Sequence, residues 1–98
     1  MNTIQKLKEL IQQNKEELKK LGIKNIFLFG SYAQNTQNID SDIDLLIDYD
    51  NPDIDWSIYW IFWNIEQRLG KKIDIGFTDS IKPEIKKSLK QNLMTKIL

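Results

Sequence analysis

Asp42 and Asp44 stand two residues apart in Asp42-Ile43-Asp44-Leu45-Leu46-Ile47-Asp48. The alternation puts Ile43, Leu45 and Ile47 on one face of a strand and Asp42, Asp44 and Leu46 on the other. Such a pair has Cα atoms about 6.5–7 Å apart, so both carboxylates can lean onto the same cation. A third acid, Asp74, interrupts Lys72-Ile73-Asp74-Ile75-Gly76-Phe77-Thr78 on the face opposite Ile73, Ile75 and Phe77. A carboxylate inside an apolar strand is costly to bury unless it is paired or holds a cation. Three carboxylates at one sheet edge suit Mg²⁺, and a two-ion site clamps both the attacking and the leaving oxygen of a phosphoryl-type displacement. Gly30-Ser31 adds a place where backbone can approach a ligand closely, with a hydroxyl and N–H groups for phosphate oxygens. Alone it is an ordinary strand-ending turn, and Asp-x-Asp alone is equally weak. The combination carries the signal.

The composition removes the competing chemistries. The 98 residues contain no His and no Cys. There is therefore no imidazole base, no Ser-His-Asp triad, no thiolate nucleophile, no disulfide frame and no zinc site of the usual kind. Any ion must be a hard one held by oxygen. The 14 basic and 14 acidic groups cancel, so the chain lacks the electrostatic footprint of a nucleic-acid-binding protein. The charges are segregated, however. No Lys or Arg occurs from Asn25 to Gln67, where Asp40, Asp42, Asp44, Asp48, Asp50, Asp53 and Asp55 make up half of the 14 acids. Solvent, the two basic ends folding back, or a bound cation must offset their repulsion. A solvated acidic loop is the plain alternative. The amino-terminal residues are polar and no apolar run is long enough to span a bilayer, so a cytoplasmic protein without a membrane segment is expected. The length fits one domain over residues 1–98, too small for a deep pocket, so a shallow site or one completed by a partner is expected.

The elements that must position these groups follow from periodicity. Thr3 to Leu21 predicts one amphipathic helix, capped by Asn2 or Thr3 and stopped by Gly22. Lys24 to Phe29 predicts a strand covered on both faces. Ser31 to Ser41 predicts a loop, Asp42 to Asp48 a strand, and Asp55 to Leu69 a helix capped by Asp53 or Asp55 and ended by Gly70. Lys72 to Thr78 predicts a third strand and Pro83 to Met94 a last helix. The order is α-β-β-α-β-α, an α+β chain with a mixed three-stranded sheet. Strands one and two should be antiparallel, and strands two and three, joined through a helix, parallel. That order brings Ser31, Asp42, Asp44 and Asp74 to one edge.

Gly30-Ser31, ten intervening residues and then Asp42-Ile43-Asp44, flanked by Ile26–Phe29 and Leu45–Ile47, resembles the signature of the polymerase β-like nucleotidyltransferase superfamily, with Asp74 matching its third carboxylate. The small size resembles the minimal nucleotidyltransferase (MNT) group. The resemblance implies a palm-like core, two Mg²⁺ ions and a nucleoside triphosphate. By carry-over, Gly30 and Ser31 hold the triphosphate, Asp42 and Asp44 bind metal, and Asp74 binds the catalytic metal and helps activate the acceptor. It implies transfer of NMP, AMP from ATP first of all, to a hydroxyl with release of pyrophosphate. It also implies a HEPN-type toxin as partner, and an antitoxin role. One departure stands out. Many relatives carry Arg-Gly after Gly-Ser-x-Ala, whereas Gly30-Ser31-Tyr32-Ala33 is followed here by Gln34-Asn35. Gln cannot replace a guanidinium fork, so Arg68, Lys71 or Lys72 would have to supply a cation from the far side.

The second helix carries two apolar stripes. Ile58, Ile61 or Phe62, Ile65 and Leu69 form one; Trp56, Tyr59 or Trp60, and Trp63 form the other. A helix on a sheet buries only one, so Trp56, Tyr59, Trp60 and Trp63 are expected to be exposed or covered by a partner. Filling a thin core is the alternative use of such rings. Without interleaved Lys or Arg, they are not read as a base-stacking surface. Two functions compete: a Mg²⁺-dependent transferase acting on a partner protein, and a binding module that neutralises its partner by contact alone. A subunit of an antibiotic-modifying or tRNA-type transferase is a third reading, weakened by the lack of a second domain. Homo- and hetero-oligomers are both compatible with the sequence.

Overall fold

The structure is a computed structural model that describes residues 2–33, 36–38, 41–50, 56–78, 83–90 and 94–98. Asn2 opens α1 (Thr3–Gln13): its Oδ1 accepts from the Gln5 N–H at 2.8 Å, and the Gln5 side chain accepts from the Asn2 N–H, a reciprocal capping box. The expected single helix is broken at Asn14. There the side-chain amide donates to the Leu10 carbonyl at 2.8 Å, while the Asn14 N–H turns to Ile11 O. Such local side-chain bonding competes with helix propagation. Helix α2 (Lys15–Lys20) then resumes, and Leu18 continues the buried stripe of Leu7, Leu10 and Ile11.

Strand β1 (Ile23–Phe29) pairs antiparallel with β2 (Ile43–Tyr49), and β2 pairs parallel with β3 (Ile73–Thr78), as expected. Ile26, Leu28, Ile43, Leu45, Ile47 and Ile73 share the face that packs under the helices. Phe27 lies opposite, beside Leu46, and is also buried, so β1 is covered on both faces. Helix α3 (Ser57–Leu69) crosses from β2 to β3 and buries Ile58, Ile61, Phe62 and Ile65. Each such aliphatic or aromatic side chain contributes about 1.5–3 kcal/mol when withdrawn from water. Gly70 ends α3 in the left-handed region at φ 72°. The helix starts at Ser57 rather than Asp55; the expected caps Asp53 and Asp55 lie outside the described residues.

The expected element order needs two corrections. Besides the break at Asn14, the last helix, α4 (Pro83–Lys90), ends before Met94, and β4 (Met94–Lys96) adds a fourth strand against β1. Three residues are too few to show an alternation, so the helical reading took in Met94 and left Thr95 and Lys96 unassigned. The sheet order is β3-β2-β1-β4. Among the described residues no helix is long and apolar enough to cross a membrane.

Candidate active site

The acidic edge is built by register. Phe29 is the cross-strand partner of Asp44, and Asp44 is the partner of Asp74 in the parallel pair. The end of β1 and the starts of β2 and β3 therefore meet, and Asp44 and Asp74 share the face opposite the helix-covered core. Two contacts fix the start of β3. The Ile43 N–H donates to Lys72 O at 3.0 Å, and the Ile73 N–H donates to Glu66 Oε1, from the last turns of α3, at 2.6 Å. Asp74 follows immediately.

Gly30, at the end of β1, has φ 76° and lies against Asp44. A β-carbon there would stand 2.6 Å from Asp44 Oδ2. The next turn is closed by the Thr36 N–H donating to Ser31 O at 2.8 Å. Gln34 itself lies outside the described residues.

The acids differ in how their charge is met. Asp48, 3 % exposed, accepts from Asn25 Nδ2 at 2.8 Å. Asp50 faces Lys24 at 3.3 Å at the opposite end of the strands. Asp74 faces Lys72 at 3.7 Å, both side chains largely in solvent. For Asp44, burial, then the neighbouring charges of Asp74 and Asp42, raise the carboxyl above the usual range. Among the described acids, part of the repulsion is thus relieved by single lysines and an amide, and Asp44 carries the like-charge effect.

An all-oxygen set around a carboxylate that feels two like charges fits a hard divalent ion. The expected gathering is nevertheless incomplete: among the described residues, no three acids stand close enough to form a metal-ligating group. Asp42 and Asp74 are exposed, and Asp74 leans to Lys72. Register brings the trio to one edge; side-chain rotation would have to close it.

Glu66 escaped the sequence reading. Its signal is faint, a carboxylate in the last turns of the crossover helix, and depends on where that helix stops. The aromatic stripe is where expected: Trp56, Tyr59, Trp60 and Trp63 are 80, 45, 65 and 48 % exposed. Trp60 and Trp63 stack on each other with centroids 5.1 Å apart, and Trp56 leans on Tyr59 at 5.5 Å.

Residues 7–94 match the family described as nucleotidyltransferase domain. The chain is 40 % identical over 101 residues to MJ0128 of Methanocaldococcus jannaschii, named as a protein adenylyltransferase, covering 96 % of this chain and 98 % of that one. It is 28 % identical over 90 residues to the protein adenylyltransferase MntA of Thermococcus cleftensis, covering 91 % of each. Among solved structures, a chain of a toxin–antitoxin with AMP-PNP superposes with a TM-score of 0.65 at 20 % identity, over all of this chain and 73 % of the other. A chain of the toxin–antitoxin MntA-HpeT does so with a TM-score of 0.63 at 17 % identity, with the same coverage. These likenesses extend the shared fold through β4.

Proposed function

Since this chain belongs to the nucleotidyltransferase domain family, we propose that it transfers AMP from ATP to a hydroxyl of a partner protein, a HEPN-type toxin, and thereby acts as its antitoxin. The observation that carries this reading is the direct pairing of Asp44 with Asp74 across parallel strands, with the Gly30 backbone pressed against Asp44. The names of the relatives supply the adenylyl group and the toxin–antitoxin setting.

In the reaction the acceptor oxygen bonds to the α-phosphorus, the bond from that phosphorus to the bridging oxygen of pyrophosphate breaks, and the acceptor proton is lost. Gly30 and Ser31 hold the triphosphate, the first by close backbone approach, the second through its hydroxyl. Asp42, Asp44 and Asp74 would hold Mg²⁺, which when bound would lower the acceptor's pKa and neutralise charge developing on phosphate. Asp74 helps activate the acceptor hydroxyl. With no His in the chain, that hydroxyl has no imidazole to take its proton. Trp56, Tyr59, Trp60 and Trp63 offer the partner a surface of the residue types that dominate interface energies.

The test is incubation with the toxin, ATP and Mg²⁺, read by mass spectrometry. A gain of one AMP on the toxin, absent with Asp44→Asn or Asp74→Asn, supports the proposal. One observation favours a second reading, neutralisation by contact alone: four large aromatic side chains, Trp56, Tyr59, Trp60 and Trp63, stand exposed at and along α3. Full neutralisation by Asp44→Asn, without AMP on the toxin in any sample, would select it.

A further inference from the structure

The loop after Gly30-Ser31 lacks the cation that a triphosphate needs, because Gln34-Asn35 follows Ala33 and no Lys or Arg occurs from Asn25 to Gln67. Arg68, Lys71 and Lys72 are the basic residues at the α3–β3 turn. Arg68 lines the groove between α1 and α3 together with Leu10, on the helix side of the sheet. Lys71 lines a hollow of about 460 Å³ between the start of α1 and the loop after Ser31, with Asn2, Thr3, Tyr32, Gln37 and Asn38. Lys72 forms an ion pair with an acid of the candidate site, its Nζ 3.7 Å from Asp74 Oδ1. Its backbone is held by the Ile43 N–H and its neighbour by Glu66, so the root of the side chain is fixed while its charged end is in solvent.

We propose that Lys72 is a nucleotide-binding residue: its ammonium, parked on Asp74 in the free protein, supplies the positive charge to the triphosphate that position 34 does not. The inference rests on the nucleotidyltransferase reading above. The physics of the pair suits an exchange. An ion pair this exposed contributes little to stability, so separating it costs little. A divalent ion on the carboxylates displaces the ammonium from Asp74. The freed ammonium, on a flexible four-carbon chain, is then available to anionic oxygens. Lys72 and a divalent ion therefore compete for Asp74 when no nucleotide is present, and act together when it is. This opposition distinguishes Lys72 from a residue that merely stabilises β3.

The test uses the full chain and three variants, Lys72→Ala, Lys72→Arg and Lys24→Ala. Lys24 pairs with Asp50 at the other end of the strands and controls for loss of one positive charge. Binding of ATP with Mg²⁺, and of Mn²⁺ alone, is measured by calorimetry, and KM and kcat by AMP transfer. Lys72→Ala is expected to weaken ATP binding and raise KM about tenfold, the worth of a charge-assisted contact. Its kcat should change far less, and its affinity for Mn²⁺ alone should be equal to or higher than that of the wild type. Lys72→Arg should restore ATP affinity, and Lys24→Ala should match the wild type. Wild-type-like ATP binding by Lys72→Ala overturns the inference alone, as does weaker binding of Mn²⁺. A wild-type protein that binds no nucleotide overturns the nucleotidyltransferase reading and the inference with it.

Discussion

Gly30 and Asp44 are packed so closely that no side chain fits between them: a β-carbon on Gly30 would lie 2.6 Å from Asp44 Oδ2, and the backbone there is left-handed at φ 76°. The end of one strand is thereby shaped around a carboxylate of the next. Gly30→Ala combines left-handed strain with a displaced Asp44, and is expected to cost about 1–3 kcal/mol in urea unfolding. AMP transfer should fall by more than that loss explains, because the surviving folded molecules hold Asp44 elsewhere. Activity measured per folded molecule that stays at wild-type level would refute the link.

Asp44 carries a pH signature. Its folded-state carboxyl is raised, by burial first and then by Asp74 and Asp42, so the folded chain binds this proton more tightly than the unfolded chain does. The sign follows from linkage: its contribution to stability is fully present below the unfolded-state value and is lost as pH rises through the raised folded value. Asp44→Asn removes that loss. The variant should therefore melt higher than the wild type at neutral pH without divalent ions, and the gap should narrow as pH falls toward the carboxylate range. Paired thermal melts from acid to neutral pH measure it; a variant less stable at neutral pH contradicts the assignment.

Magnesium should reverse that order. An ion bound only by the folded state raises stability by mass action, about 2.7 kcal/mol at a hundredfold excess over its dissociation constant. The wild type is expected to gain melting temperature with added Mg²⁺, and Asp44→Asn and Asp74→Asn to gain little. Equal gains in all three would place the ion elsewhere.

Glu66 ties α3 to β3 through a single short bond to the Ile73 N–H. Glu66→Ala leaves that amide without its acceptor, and is expected to cost about 1–3 kcal/mol and to speed hydrogen exchange at Ile73. Glu66→Gln, whose side-chain carbonyl can still accept, should recover most of both. Unchanged exchange at Ile73 in the alanine variant would dismiss the tie.

The aromatic stripe should matter to a partner and hardly to the fold. Trp56→Ala and Trp60→Ala remove rings that are mostly in solvent, so stability should change by less than about 1 kcal/mol. Toxin affinity, by titration calorimetry, is expected to drop tenfold or more, the scale of an interface hot spot. Wild-type affinity in both variants would move the interface off this helix.

Much of this arrangement is legible before folding. Alternation in Ile43-Asp44-Leu45 and Ile73-Asp74-Ile75 fixes which face each acid takes, and a helix between two strands fixes their parallel sense, so the meeting of Asp44 with Asp74 follows from order alone. The two stripes of α3 separate for the same reason, since one helix face cannot be buried twice. What escapes is set by single contacts. The break at Asn14 depends on one side-chain amide reaching Leu10. The strand at Met94–Lys96 depends on β1 having an open edge to pair with. The choice of Lys72 among three neighbouring cations depends on which way the α3–β3 turn points each side chain.

The acids and the aromatic rings belong to one continuous unit, strand, helix and strand, with Glu66 bolting helix to strand just before Asp74. A protein seated on α3 is thus tied through Glu66 to the first residue of β3, next to Asp74. Grip and reactivity then share a lever: tilting the helix under load would drag the first residues of β3, so the tightest holder need not be the fastest modifier.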